Sequence, residues 1–196
     1  MDSGSPYGGI GASRTALISI LAEPTLILVL VGITLMAHAM LPFVVNHLLV
    51  ASPAVYWGPT HLFLVAAFFV LLLVETDRLP IHSSTKIEVY MIEEARVLEY
   101  SGPLLALLKW ASMMKQFILY TIFCHVLLLP WGLSVLGGPS GLAGAVVGIV
   151  IKFVIVGCAV IAVETAQSRL RFYRYQEPLA VGFLLAILAI VANQIR

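Results

Sequence analysis

Two lysines stand where a lysine is expensive. Lys115 lies 11 residues past Leu104 and Lys152 lies 11 past Gly141, each inside a long apolar run. At 1.5 Å per helical residue each is about 16 Å from the start of its run, near the centre of a bilayer. A Lys at a helix centre costs about 2.5–3.5 kcal/mol on insertion scales, and from that depth neither side chain snorkels easily to water. Each therefore needs a buried partner or a wet cavity. Glu23, just before Pro24, and His38, His61 and His125 also fall within or beside apolar runs, and Glu75 and Glu164 close two of them. Carboxylate, imidazole and amine groups set in a track from the surface to the membrane centre can hold and pass protons, so a proton relay is the chemistry these residue types support. Plain alternatives stay open beside it: Glu75 and Glu164 as interfacial carboxylates with Arg partners, the histidines as hydrogen-bonded packing residues.

The elements that must position these groups follow from composition. Of the 196 residues 61% are hydrophobic and only 11% charged, with a mean hydropathy of +1.03. Soluble domains are about a quarter charged, so disorder, a coiled coil and a water-soluble enzyme are excluded. The balance of 11 basic and 10 acidic residues leaves no concentrated basic surface for nucleic acid. The expected fold is all-α, a polytopic transmembrane helical bundle forming a single membrane domain over 1–196. About five spans are expected, near 16–39, 55–74, 104–129, 141–163 and 179–193, with one long acidic loop at 75–103. Residues 1–8 lack a basic n-region and read as a loop, not a signal peptide. Gly144 and Gly148 form a GxxxG read as simple helix packing, and no internal repeat of an inverted-repeat transporter is apparent.

Charge sets the expected orientation. Arg14, then Arg78, Lys86 and Arg96, then Arg169, Arg171 and Arg174 all fall on one side, whereas the other carries only Arg196. The positive-inside rule then puts the N-terminus and both charged loops in the cytoplasm. The longer loop is unusual. Between Glu75 and Pro103 it holds six acidic and three basic residues. Topology reads Lys and Arg and does not explain the acids. Thr85 to Glu88 fits a capping box that would start a cytoplasmic helix. On that helix Glu88 and Glu99 lie about 20° apart, with Ile92 and Ala95 between them, so burial against a partner would raise their pKa values. A plain solvated helix is the alternative.

Familiar catalytic signatures are missing. Gly8-Gly9-Ile10-Gly11 has no following Lys-Ser/Thr and no preceding strand. Glu93-Glu94 has no His at metal-ligand spacing, and no Ser-His-Asp or Cys-His set is apparent. Cys124 and Cys158 sit in apolar runs outside any CxxC or Cys/His cluster, as small hydrophobes. No residue is assigned as catalytic and none as a metal ligand.

The loop carries a resemblance. Glu75-Thr-Asp-Arg-Leu-Pro80 and Lys86 through Glu93-Glu94-Ala-Arg-Val-Leu-Glu99 to Gly102 resemble the large cytoplasmic loop of the respiratory complex I subunit 1 family, and within it the hydrogenase-4 and formate hydrogenlyase branch. Asp2 to Tyr7, Gly11 to Arg14, Ala22-Glu23-Pro24 and Val163 to Arg171 are similar to further stretches of those proteins. The resemblance implies a multi-pass subunit of the cytoplasmic (inner) membrane, non-catalytic itself. It would anchor a peripheral redox arm and couple electron transfer to proton or sodium translocation. It places Glu23, Glu75, Glu88, Glu99 and Glu164 at acidic positions of the family's proton path and Arg78 at its basic loop position. Glu93, Glu94 and Arg96 complete the loop interface, and Lys115 and Lys152 join the relay from the depth argument. Implied partners are hydrogenase large and small subunits holding [NiFe] and iron–sulfur centres, antiporter-like membrane subunits and lipid. The resemblance covers only the last five helices, so either Met1 is an internal start or a further chain would supply the upstream helices. After Pro80 this chain reads Ile81-His82-Ser83-Ser84-Thr85 where complex I has an acidic Pro-Phe-Asp-Leu type run. That departure tilts the reading away from quinone. The alternatives are a quinone-lining subunit of a proton-pumping NADH:quinone oxidoreductase and, in another class, a stand-alone ion transporter.

Overall fold

The structure, a computed structural model, describes residues 6–76, 81–82, 100–130, 138–166, 170–171 and 176–195. Its helices start where the sequence offers proline. The helices α1 (Pro6–Ala37), α2 (Pro42–Ala51), α3 (Pro53–Tyr56), α4 (Pro59–Glu75) and α5 (Pro103–Ile122) each have Pro as first residue. At that position the missing N–H would have had no intrahelical partner, and the fixed φ already suits a helix. Helix α5 passes into a π-helical turn (Phe123–Leu128), and α6 (Gly138–Ala166) and α7 (Gln176–Ile195) follow. The first residues of α1 were expected as loop; Pro6 nucleates them as helix instead.

Four helices are long and apolar enough to cross a membrane, over Ser19–Ala37, Pro103–Leu128, Ala143–Val163 and Glu177–Ile195. The chain is a multi-pass membrane protein. The segment expected as a second span is built differently, as α3 and α4 with a turn between them. Helix α4 has 17 residues, about 26 Å of helix. Among the long helices it is the most enclosed: Leu64, Ala67, Phe68, Leu71 and Leu72 form one buried stripe, and Leu73 on the opposite side is buried as well. A helix that is apolar all round belongs inside a bundle, and α4 packs against both α1 and α7, which also pack against each other.

Two glycines let this body close. Gly32 on α1 meets α4 so tightly that a Cβ there would stand 2.6 Å from Leu64 Cδ2. Gly182 on α7 does the same more gently, with Val70 Cγ1 at 3.4 Å. By contrast, a Cβ at Gly144 or Gly148 would meet nothing within 4 Å, so the GxxxG of α6 packs no described helix of this chain. A third glycine, Gly102, has φ +62 and begins α5 from a backbone conformation that L side chains rarely adopt.

The connection between α1 and α4 is itself helical. His38 takes a positive φ of 50 after the last residue of α1, a left-handed helix stop. The chain then folds into α2, whose Val45, Asn46 and Leu49 are buried. Two short strands, β1 (Ile81–His82) and β2 (Leu170–Arg171), pair in parallel, Ile81 with Leu170 and His82 with Arg171. They pair two residues that follow α4 with two that follow α6.

Candidate functional site

The end of α5 is the structural centre of the polar chemistry. The π-turn closes with the Leu129 N–H donating to Cys124 O at 3.0 Å, a reach of five residues. Pro130 follows and has no N–H, so a further bond of this kind to His125 O cannot form. Asn46 of α2 answers that carbonyl, its Nδ2 donating to His125 O at 2.6 Å. Two residues on, His61 Nε2 of α4 lies 3.0 Å from Leu127 O. A carbonyl only accepts, so Nε2 carries the proton there. Two residues further, Lys152 Nζ of α6 donates to Leu129 O at 2.7 Å. Alternate carbonyls at 125, 127 and 129 are thus held by side chains from three different helices.

Lys152 is the central residue of α6 and only 8% exposed. Its ammonium lies at the C-terminal, negative end of a helix, where backbone carbonyls favour a cation. Buried polar groups must be hydrogen-bonded, and a charge most of all. A lysine at that depth needs a buried partner, and a main-chain carbonyl is one. Cys124 and His125, both buried, are near enough to Lys152 to interact with it electrostatically. The His125 ring meets Phe153 edge-on, with centroids 6.1 Å apart.

A second polar cluster closes the other end of α4. Glu75, its last residue, forms an ion pair with Lys115 of α5. The Lys115 side chain is 60% exposed and that of Glu75 13%. Gln116 Nε2 donates to Thr76 O at 3.4 Å, and Thr76 Oγ1 donates to Leu72 O at 2.7 Å. At the C-terminus of α4, Gln116 thus answers a main-chain carbonyl and Lys115 the side-chain carboxylate. Glu75 takes a Lys of the next helix as partner.

These two clusters are not brought together. Lys115 and Leu129 are separated by about 21 Å of helix on α5 and its π-turn. Aromatic rings occupy the interval: Phe123 stacks on Phe68 at 5.8 Å and meets Phe69 at 5.7 Å, and Phe117 stacks on Phe153 at 5.7 Å. Glu23 is exposed on α1 and belongs to neither cluster. Glu164 is placed by its backbone near the end of α6. Arg78, Glu88, Glu93, Glu94, Arg96 and Glu99 lie outside the described residues.

The sequence reading passes over Asn46, and it offers the histidines as hydrogen-bonded packing residues, as His61 is here. The signals were a lone amide inside the apolar run Pro42–Ala51 and Pro130 at the end of a long helix. Together they mark an unanswered carbonyl and a side chain able to answer it. Among the described residues, no group of three or more His, Cys, Asp or Glu side chains comes together as a metal-binding set.

The chain matches the sequence model of the NADH dehydrogenase family over residues 1–194. It is 31% identical to hydrogenase-4 component C of Escherichia coli (strain K12) over 194 residues, covering 96% of this chain and 58% of that protein. It is also 31% identical to formate hydrogenlyase subunit 4 of the same organism over 198 residues, covering 98% of this chain and 61% of that protein. The chain thus spans about three fifths of the length of these relatives. No solved structure matches it.

Proposed function

The chain belongs to the NADH dehydrogenase family, that of complex I subunit 1, and from that premise we propose that it is a membrane subunit of a complex I-like [NiFe]-hydrogenase or formate hydrogenlyase assembly. In this reading it sits in the inner membrane with its N-terminus in the cytoplasm. The acidic loop at 75–103 docks hydrogenase large and small subunits, which carry the [NiFe] and iron–sulfur centres. Antiporter-like subunits flank it within the membrane. The chain transfers no electrons itself and couples their transfer next door to movement of a proton.

The observation that supports this reading is Lys152, a buried amine at the midpoint of a membrane helix, held by the carbonyl of Leu129. Hydrophobic packing alone gains nothing from such a group. Charged, Nζ is attracted to the carbonyl end of the π-turn. When a proton leaves Nζ that attraction weakens, and of the three clamps on these carbonyls, from Asn46, His61 and Lys152, the last is loosened. The π-turn then links the protonation of Lys152 to the positions of α2 and α4. Such turns are common where a helix serves function. Glu75 with Lys115 forms a separate polar station nearer the acidic loop.

Isolation of the chain from its native membrane tests the class. A hydrogenase large subunit is expected to come with it. A chain that purifies alone and moves ions alone is a transporter, and the proposal then fails.

A further inference from the structure

Helix α1 has two faces of opposite character. Ala22, Thr25, Val29, Ile33 and Met36 are buried on the side that packs against α4 and α7. Ile20, Glu23, Pro24, Ile27, Leu30 and Val31 are exposed on the far side. Glu23 is therefore a carboxylate turned away from this chain's own bundle. It is also deep. Its neighbour Ala22 packs with Leu71 and Val74 of α4 and Leu179 of α7, so Glu23 lies within the length of those helices and not beyond their ends. It falls inside the membrane span Ser19–Ala37, and Arg14, the basic residue before it on α1, is nine residues or about 14 Å of helix away.

This face holds two acceptors that lipid tails cannot answer. Among the described residues Glu23 makes no ion pair and no hydrogen bond. The second acceptor is Ile20 O. Pro24 stands inside α1 and has no N–H, so the helical bond that would close on this carbonyl does not form. The neighbouring hydroxyl, Thr25 Oγ1, is spent on Leu21 O at 2.8 Å. Ile20 and Pro24 are both exposed, so the carbonyl opens beside Glu23. Within a bilayer every such group needs a partner, and an ionised side chain most of all.

From this pairing we infer that the far face of α1 is an interface for a membrane helix of another subunit, which sets a lysine or arginine against Glu23 and Ile20 O. A basic side chain carries three or more N–H donors and no acceptor, so one such group can answer both oxygens. Ile27, Leu30 and Val31 continue the face as the apolar seam along which the partner helix lies. A two-fold contact with a second copy would bring carboxylate against carboxylate. Lys115 and Lys152 are committed elsewhere, to Glu75 and to Leu129 O. The counter-charge thus comes from a different chain. The inference needs a membrane neighbour and does not depend on which redox modules that neighbour serves.

A photo-activatable benzophenone side chain placed at Ile27, one turn from Glu23, reports what covers this face in the intact complex in its native membrane. The expected adduct is a second polypeptide, joined through a membrane helix that has Lys or Arg within a turn of the joined residue. Glu23→Gln should cut the adduct yield severalfold and Glu23→Asp much less. Glu23→Arg should abolish it, and changing the partner's basic residue to Glu should restore it. An adduct with lipid alone, an adduct with a helix lacking a basic residue, or an undiminished yield in Glu23→Gln would each overturn the inference. Should the Gln variant fail to accumulate, the wild-type adduct and the sequence it joins decide. A basic-helix adduct in a complex without a hydrogenase leaves this inference standing and removes the assignment above. A co-purifying hydrogenase large subunit with only lipid at Ile27 does the reverse.

Discussion

Replacing Lys152 with Met separates a lysine kept for stability from one kept for charge movement. The native bond from Nζ to Leu129 O is charge-assisted, 2.7 Å long, and made by a residue 8% exposed. Losing such a bond costs about 1.5–3 kcal/mol. Keeping an ammonium at the centre of a membrane helix costs about 2.5–3.5 kcal/mol on insertion scales. Methionine has nearly the same length and flexibility, so it fills the space without a cavity. The difference runs from about 0.5 kcal/mol against the variant to about 2 kcal/mol in its favour. Thermal melting of the purified assembly should therefore show Lys152→Met unchanged or raised, because the gain from removing the buried charge matches or exceeds the cost of leaving Leu129 O unanswered. Proton uptake by sealed vesicles, followed with a pH-sensitive dye during electron transfer, should fall sharply in the same variant. A lower melting point with full proton uptake would refute the reasoning, for it would make Lys152 a structural clamp and nothing more.

Three further substitutions probe the parts that hold this lysine. Gly32→Ala should lower the melting point by an overpacking cost of about 1–3 kcal/mol, since its Cβ would press on Leu64 Cδ2 at 2.6 Å; adding Leu64→Ala should recover part of that loss in a double-mutant cycle. Phe123→Ala removes a ring 2% exposed between Phe68 and Phe69 and should cost about 3–5 kcal/mol, read as loss of folded protein in denaturant. Asn46→Ala leaves His125 O unanswered next to Pro130; hydrogen exchange at the amides of 123–129 should speed up, while those of the α4 core should not change.

Much of the candidate site was legible before any fold was known, because depth in a membrane is a one-dimensional quantity. Counting from Leu104 and Gly141 was enough to single out Lys115 and Lys152. The same count treated them as equals. In three dimensions Lys152 is enclosed, whereas Lys115 is 60% exposed and joined to Glu75. The difference comes from where α4 ends: at Glu75 and Thr76 its last carbonyls and carboxylate lie beside Lys115 and Gln116. Nothing in the sequence of α5 shows which helix it lies against. The partners of Asn46 and His61 were unreadable for the same reason, since their acceptors are main-chain carbonyls 79 and 66 residues away.

What the order of residues determined by itself was the solvent, the class and the breaks. An apolar chain with a few sunken charges must cross a bilayer as helices, because every backbone group there needs an internal partner. Prolines at 6, 42, 53, 59 and 103 then mark where helices start, and Pro130 where α5 stops. The tertiary structure alone decided that α4 is the enclosed helix, that α2 folds back to serve the π-turn, and that carbonyls 125, 127 and 129 meet an amide, an imidazole and an ammonium. Those are long-range pairings. Apolar residues facing lipid and apolar residues facing another helix look alike in sequence, so the choice of neighbours falls to shape, to glycines such as Gly32, and to the few polar groups that must find one another.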